Sequence, residues 1–391
     1  MKSIRSAKDL AINGAVPAFN EPVHVGRPNL GNREAFHQYV DDIFDRDWLT
    51  NNGPLVQELE QKVATFHGVK HCIAMANGTI ALEIGIRALG LQGEVVVPSY
   101  TFVATVHALH WQAITPVFAD IDPHTHNLDP EAVRRAITPR TSGIIGVHLW
   151  GRAAPVDELS DIAAKHDIEL MFDAAHAFGC SYKGKMIGSF GRCEVLSFHA
   201  TKFFNTFEGG AILTNDDDLA EKTRLMRNFG FAGMDNVIYP GTNGKMSEIA
   251  AAMGLVNLES TDDIMRSNFE NFTRYCRNLE GLPGVSLMYF DESQRNNFQY
   301  VVLELGEEFP VSRDELIDTL HAENIRARRY FWPGAHRMKP YDELYPEADA
   351  SLPQTRVVAD RVVVLPTGPT LSSDAVDVVS SIIRVMTGEA R

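Results

Sequence analysis

Lys202 sits where an amine could do chemistry. It lies in Val195-Leu196-Ser197-Phe198-His199-Ala200-Thr201-Lys202, in the turn after an apolar strand, among Phe198, Phe203, Phe204 and Phe207. Apolar surroundings disfavour the ammonium form, and Schiff-base chemistry needs a lysine that can lose its proton. A single loop lysine is more often a solvated charge, so the argument needs company. Asp173 directly follows the apolar run Ile168-Glu169-Leu170-Met171-Phe172, at a strand end, where open α/β sheets bind their ligands. It can pair with a cofactor nitrogen or cap a helix before Ala174-Ala175-His176. Asn77-Gly78-Thr79 opens a helix; free amides at such a start favour phosphate, although the triplet is also an ordinary cap. Glu208-Gly209-Gly210 starts another strand, and its glycines permit backbone close to a ligand. In chain order these are a phosphate site, a carboxylate and an amine. Pyridoxal phosphate (PLP) presents the matching needs: a phosphate, a pyridine nitrogen and an aldehyde.

A sheet covered by helices has to position these groups. Residues 1–35, rich in Pro, Gly and Asn, read as an extended arm, and 34–47 as a polar amphipathic helix. Helix 55–67, strand 71–75, helix 79–90, strand 94–97, helix 102–112 and strand 116–119 follow. Strand 143–149, helix 155–166 and strand 168–172 continue the alternation. Apolar strands in this order predict a mostly parallel sheet with both faces covered. Strands 194–198 and 210–214 flank Lys202 with no long helix between them. Helix 216–228 is followed by a helical stretch over 247–280, in one piece or two. Strands 285–290 and 298–305, helix 312–323 and strand 325–328 then predict a second βαβ-like unit, closed by helix 373–387. The expected fold is α/β, with an arm over 1–35, a large domain over 36–260 and a smaller α+β domain over 261–391.

The 391 residues carry 36 Lys and Arg against 51 Asp and Glu, a formal charge of −15. Such a surface discourages nonspecific nucleic-acid binding, and no helix-turn-helix reader stands out. Cys72, Cys180, Cys193 and Cys276 form no CxxC pair and no zinc spacing with His, so no metal site is expected and the cysteines read as reduced and mostly buried. The start, MKSIRSAKDL, lacks the apolar run of a signal peptide. No stretch approaches the ~20 apolar residues of a membrane span. A cytoplasmic protein without membrane contact is the expectation.

Residues 72–255 resemble the DegT/DnrJ/StrS family of sugar-nucleotide aminotransferases, within the fold type I (aspartate aminotransferase) architecture of PLP enzymes. The matching stretches are NGTIALEIGIRALG, VVVPSYTFVATVHAL, PVFADID, FDAAHAFG, GKMIGSFG, LSFHATKFFNTFEGGAILTND and GTNGKMSEIAAAMG. The resemblance implies that Lys202 carries PLP and that Asp173 binds the pyridinium nitrogen. It implies further that His176 lies near the ring hydroxyl and that Phe102 stacks on the ring. Gly78, Thr79 and Ser197 would contact the phosphate, and Asn243 would reach it from a neighbouring subunit, which makes the expected protein a homodimer. Gly244-Lys245 stands where the family commonly has an aromatic residue and Arg, which leaves the contact of Lys245 open.

The segment HATK followed by FEGG looks like members that aminate sugar C4, whereas members acting at C3 more often carry a GDGG-type segment. By analogy the donor is L-glutamate and the acceptor a dTDP-linked 4-keto-6-deoxy sugar. Amination at C3 or of a cyclitol, a PLP-dependent sugar dehydratase and a non-catalytic PLP-binding regulator are the alternatives. A lysine at 202 favours transamination, because the dehydrating subgroup has His there. Arg326, Arg328 and Arg329 with Tyr330-Phe331-Trp332-Pro333-Gly334-Ala335-His336 form the one strongly basic, aromatic stretch. Arginines suit a diphosphate and aromatic rings a sugar or base face, so Arg328, Tyr330 and His336 are the expected substrate contacts. Lys183 and Lys185 read as hairpin-turn lysines.

Overall fold

Runs such as Val95-Val96-Val97 and Ile144-Ile145 offer no polar face, so they are stable only in a sheet buried on both sides. The computed structural model describes residues 2–388 and places these runs in such a sheet. The arm holds β1 (Val23–His24); α1 (Arg33–Arg46) and α2 (Pro54–His67) follow. The alternating region comprises β2 (His71–Met75), α3 (Gly78–Ala88), β3 (Glu94–Pro98), α4 (Ala104–His110), β4 (Thr115–Ala119), α5 (Pro130–Ala136), β5 (Thr141–Val147), α6 (Val156–His166) and β6 (Glu169–Asp173). A hairpin of β7 (Ser181–Tyr182) and β8 (Lys185–Met186) leads to β9 (Cys193–Ser197), β10 (Gly210–Thr214), α7 (Asp217–Arg227), α8 (Glu248–Glu259) and α9 (Thr261–Leu279). The last part holds β11 (Val285–Leu287), β12 (Val301–Leu305), α10 (Arg313–Ala322), β13 (Ile325–Arg326), α11 (Tyr341–Leu344), α12 (Pro353–Arg361), β14 (Val362–Leu365) and α13 (Ser373–Met386).

The main sheet has the order β2-β10-β9-β6-β5-β3-β4. Only β10 runs antiparallel to its neighbours. The carboxyl ends of β2, β5, β6 and β9 therefore share one edge. One face packs under α1, α2 and α8 through Leu59, Val63, Phe204 and Leu255; the other under α3 and α4 through Ile84, Val106 and Met171. Each fully buried Leu or Ile of this kind contributes roughly 2 kcal/mol.

Helix ends are specified locally. Asn77, Asp216, Ser247, Ser312 and Ser372 each accept a backbone N–H from the first turn of the helix they cap. The start of α2 is capped from a distance. Glu248 of α8 is fully buried, and its Oε2 and Oε1 accept the N–H groups of Leu55 and Val56 at 2.9 and 3.0 Å. A carboxylate at a helix N-terminus meets both the free donors and the favourable end of the dipole.

The second unit differs from the βαβ expectation. Its sheet is β11-β12-β14, antiparallel throughout. Strand β13 leaves that sheet and pairs in parallel with β1 of the arm, and β14 takes the expected third place. The run Val362-Val363-Val364-Leu365 is entirely buried against β12, and Arg328, at the end of the expected strand 325–328, pairs with Val364 on the other side of β14. The helical stretch over 247–280 is two helices, broken at Ser260. Lys183 lies in the β7–β8 hairpin turn and ion-pairs with Asp157, and Lys185 begins β8. All four cysteines are free, and three of them are buried. Among the described residues no helix is long and apolar enough to cross a membrane.

Candidate active site

At the shared carboxyl edge lies a cavity of about 630 Å³. Asp173 ends β6 on its floor. Its Oδ2 accepts the Thr105 hydroxyl at 2.8 Å, and its Oδ1 accepts the N–H of Ala175 at 3.0 Å. Burial pushes the carboxyl above the usual range, while the Thr105 and Ala175 bonds and the Lys202 charge act the other way. Lys202 follows β9 in a turn closed by its own N–H to the carbonyl of His199 and by Thr206 N–H to the carbonyl of Phe198. Protein packed about its amine pulls the pKa down to about 8, against the raising influence of Asp173. An unpaired, easily neutralised amine and a buried carboxylate thus face one space.

The third wall is the start of α3. Asn77 uses its side chain on Ile80, leaving the Gly78 and Thr79 amides without helical acceptors beside the cavity. Two glycines allow the close approach. A Cβ on Gly210 would lie 2.7 Å from the Asn77 carbonyl carbon, and one on Gly78 would lie 2.9 Å from Ser197 Cβ. The helix start and Ser197 border the cavity together, and free amides at a helix N-terminus suit a phosphate. The donor set therefore fits PLP.

His176 enters from the segment after β6. Its Nδ1 accepts the Trp150 N–H at 3.3 Å, so the proton sits on Nε2. Burial holds its pKa well below the ordinary value. Its ring packs against Trp150, Phe331 and Tyr300. Phe102 stands exposed at the mouth, near Phe331. Arg328 and Tyr330 form the outer wall, the guanidinium 4.9 Å from the ring centroid.

The structure thus brings Gly78, Thr79, Phe102, Asp173, His176, Ser197, Lys202, Arg328 and Tyr330 to one cavity. One residue expected at this cavity lies elsewhere. His336 is buried behind the wall, where its Nδ1 shares a hydrogen bond with Ser99 at 2.6 Å and its Nε2 pairs with Asp349 at 3.0 Å. It supports the loop rather than touching the cavity. Asn243 is exposed on the segment after α7, outside this chain's own cavity. Of the other arginines, Arg329 turns to Asp314 and Trp332, and Arg326 to Asn324. Lys245 donates to Asn228 at 3.0 Å and lies over Phe229. Sequence reasoning missed Thr105 and Tyr300 as floor and cavity residues. Thr105 was findable, one helical turn beyond Phe102 and so beside it; Tyr300 carried no local signal, because only the second unit's placement brings it in.

Comparison with known proteins matches residues 31–384 to the DegT/DnrJ/EryC1/StrS aminotransferase family. The chain belongs to this family. A dTDP-4-amino-4,6-dideoxy-D-glucose transaminase of Shigella dysenteriae is 40% identical over 93% of this chain and 99% of its own. A GDP-perosamine synthase of Caulobacter vibrioides is 37% identical over 82% of this chain and 87% of its own. Among solved structures, DesI in the presence of its TDP-sugar product superposes with a TM-score of 0.92 at 44% identity, covering 98% of both chains. DesV of S. venezuelae, in complex with a ketimine intermediate, gives 0.85 at 30% identity over 91% of this chain and 95% of its own. The fold is accordingly fold type I, and the protein is an aminotransferase of the DegT/DnrJ/EryC1/StrS group.

Proposed function

We propose that this aminotransferase binds PLP through Lys202 and moves an amino group from L-glutamate to C4 of a dTDP-linked 4-keto-6-deoxy sugar. The observation that carries the reading is the convergence of the Lys202 amine, the Asp173 carboxylate and the glycine-floored start of α3 on one cavity. The similar proteins named above, which act on dTDP- and TDP-sugars, support the substrate. When bound, PLP supplies an aldehyde that captures amines and a ring that accepts electron density from a carbon losing its proton.

The chain's own residues do the rest. Gly78 and Thr79 amides and the Ser197 hydroxyl hold the phosphate, and Phe102 covers one ring face. Asp173 keeps a proton on the ring nitrogen, charge stabilisation placed where it counts. His176 offers its Nε2 proton to the ring's hydroxyl oxygen. Lys202 Nζ takes the proton from the donor Cα, a task for which an amine with a pKa near 8 is suited. Arg328 pairs with the diphosphate and Tyr330 lies against the sugar or base. Asn243 completes the phosphate site of a partner subunit. A homodimer is supported by the exposed apolar side chains of Phe229, Phe231, Met234, Val237 and Ile238 on the segment before it. The units over 1–35, 36–260 and 261–391 are proposed as arm, cofactor domain and small domain. The separate apolar cluster around Leu303, Val363 and Val379 supports the last. Four free thiols suit a reducing, cytoplasmic setting.

The test is incubation of the PLP-loaded protein with glutamate and a dTDP-linked 4-keto-6-deoxy sugar, following 2-oxoglutarate. Release dependent on the sugar is expected. A parallel arm with the GDP-linked ketosugar decides the nucleotide. No 2-oxoglutarate with either sugar rejects the proposal.

A further inference from the structure

Three carboxamides on one short segment reach three different loops of the site. Asn296, Asn297 and Gln299 precede β12 and are all buried. Asn296 Nδ2 donates to the carbonyl of Gly151 at 2.9 Å. Asn297 Nδ2 donates to the carbonyls of His176 and Phe178 at 2.9 and 3.0 Å. Gln299 Nε2 donates to the carbonyl of Thr201 at 2.7 Å. Because every acceptor is a carbonyl, the amide orientations are fixed by the bonds themselves. The acceptors belong to the segments leaving β5, β6 and β9, the last two of which carry His176 and Lys202.

The segment is tied to itself and to α9 by hydrogen bonds. Asn296 Oδ1 and Asn297 Oδ1 accept the N–H groups of Phe298 and Gln299 at 2.7 and 3.0 Å. Asn268 of α9 donates to the Asn297 carbonyl at 2.9 Å, and Phe298 takes a left-handed φ of 48°. Gln299 differs from its neighbours in one respect: among the described residues its Oε1 is buried without a protein partner. An unpaired buried carbonyl is costly, and an apolar side chain of similar length would avoid the cost. What Gln299 contributes in return is its single donor to Thr201, the residue before Lys202. The next residue, Tyr300, lines the cavity with its ring 4.7 Å from that of His176.

We propose that Gln299 is a positioning residue for Lys202. Its bond to the Thr201 carbonyl fixes the turn from which the Lys202 amine enters the cavity and ties that turn to the second sheet. The inference rests on the function proposed above. Small displacements of a reacting group are expensive in rate, so the bond acts on proton transfer rather than on donor binding.

The experiment uses full-length protein loaded with PLP. Gln299→Met keeps the length and removes the donor. Its kcat is expected to fall about tenfold with KM for glutamate changed by less than about twofold. The pH midpoint of the visible absorbance band is expected to move by about one unit. Gln299→Glu restores a donor only when protonated, so the ratio of its rate to the parent's should rise as pH falls. A Met variant with the parent's kcat and absorbance midpoint overturns the proposal. If the Met variant does not fold, a Glu variant whose rate ratio is flat with pH overturns it. A parent chain that takes up no coenzyme sinks both readings; a parent that does, with variants indistinguishable from it, sinks only this one.

Discussion

Lys202 and Asp173 are held in states that cost the fold something. With its pKa drawn from an ordinary 10.5 down to about 8, Lys202 destabilises the coenzyme-free protein wherever the unfolded chain would be protonated. The penalty is fully present below pH 8 and fades as pH rises toward the unfolded value. Lys202→Met should therefore raise the stability of the coenzyme-free chain at pH 7 by roughly 3 kcal/mol, while abolishing turnover and the coenzyme's visible band. Denaturant melts and spectra check both arms. On the proposed function, coenzyme uptake should become faster as pH passes about 8, because the neutral amine is the nucleophile; a rate flat from pH 6 to 9 would count against it. Asp173→Asn leaves the hydrogen bond from Thr105 an acceptor but removes the charge. A folded protein with turnover at least about a hundredfold lower is expected, measured as 2-oxoglutarate release.

Elements place those residues by close approach. The start of α3 reaches β9 and β10 only because Gly78 and Gly210 lack side chains. In Gly210→Ala the new Cβ meets main-chain atoms of Asn77 and Gly78, which have no rotamer to move. The helix start must shift, and weaker coenzyme affinity is expected with less change in melting temperature than in affinity; equilibrium titration and calorimetry decide it. Glu248 does similar work for α2 from the far side of the sheet. Glu248→Ala leaves two buried N–H groups unpaired, and a loss on the order of 3 kcal/mol is expected in denaturant titration, with the absorbance of the residual folded, coenzyme-loaded protein unchanged.

At the scale of the whole molecule, the proposed homodimer is what remains to be tested. Asn243 lies outside the cavity of its own chain, and the segment before it exposes Phe231, Met234, Val237 and Ile238. Mixing Lys202→Ala chains with Asn243→Ala chains should form heterodimers with one intact site, so activity should exceed that of either variant alone. No gain after subunit exchange would return Asn243 to an ordinary surface role. The second unit also supplies Tyr300, Arg328 and Tyr330 to the cavity wall, so site geometry depends on how that unit docks.

The sheet, the turn that carries Lys202, the Asp173 strand end and the start of α3 were legible in the chain, because each is set by short-range pattern: apolar runs, caps and paired glycines. The Thr105 bond to Asp173, the carboxamide contacts of Asn296, Asn297 and Gln299, and the burial of His336 behind the wall were decided only by tertiary structure. Each joins residues far apart in the chain or depends on which way a side chain turns. The place of β14 belongs with them, since its pairing with β12 and with Arg328 joins segments separated by more than thirty residues in the chain.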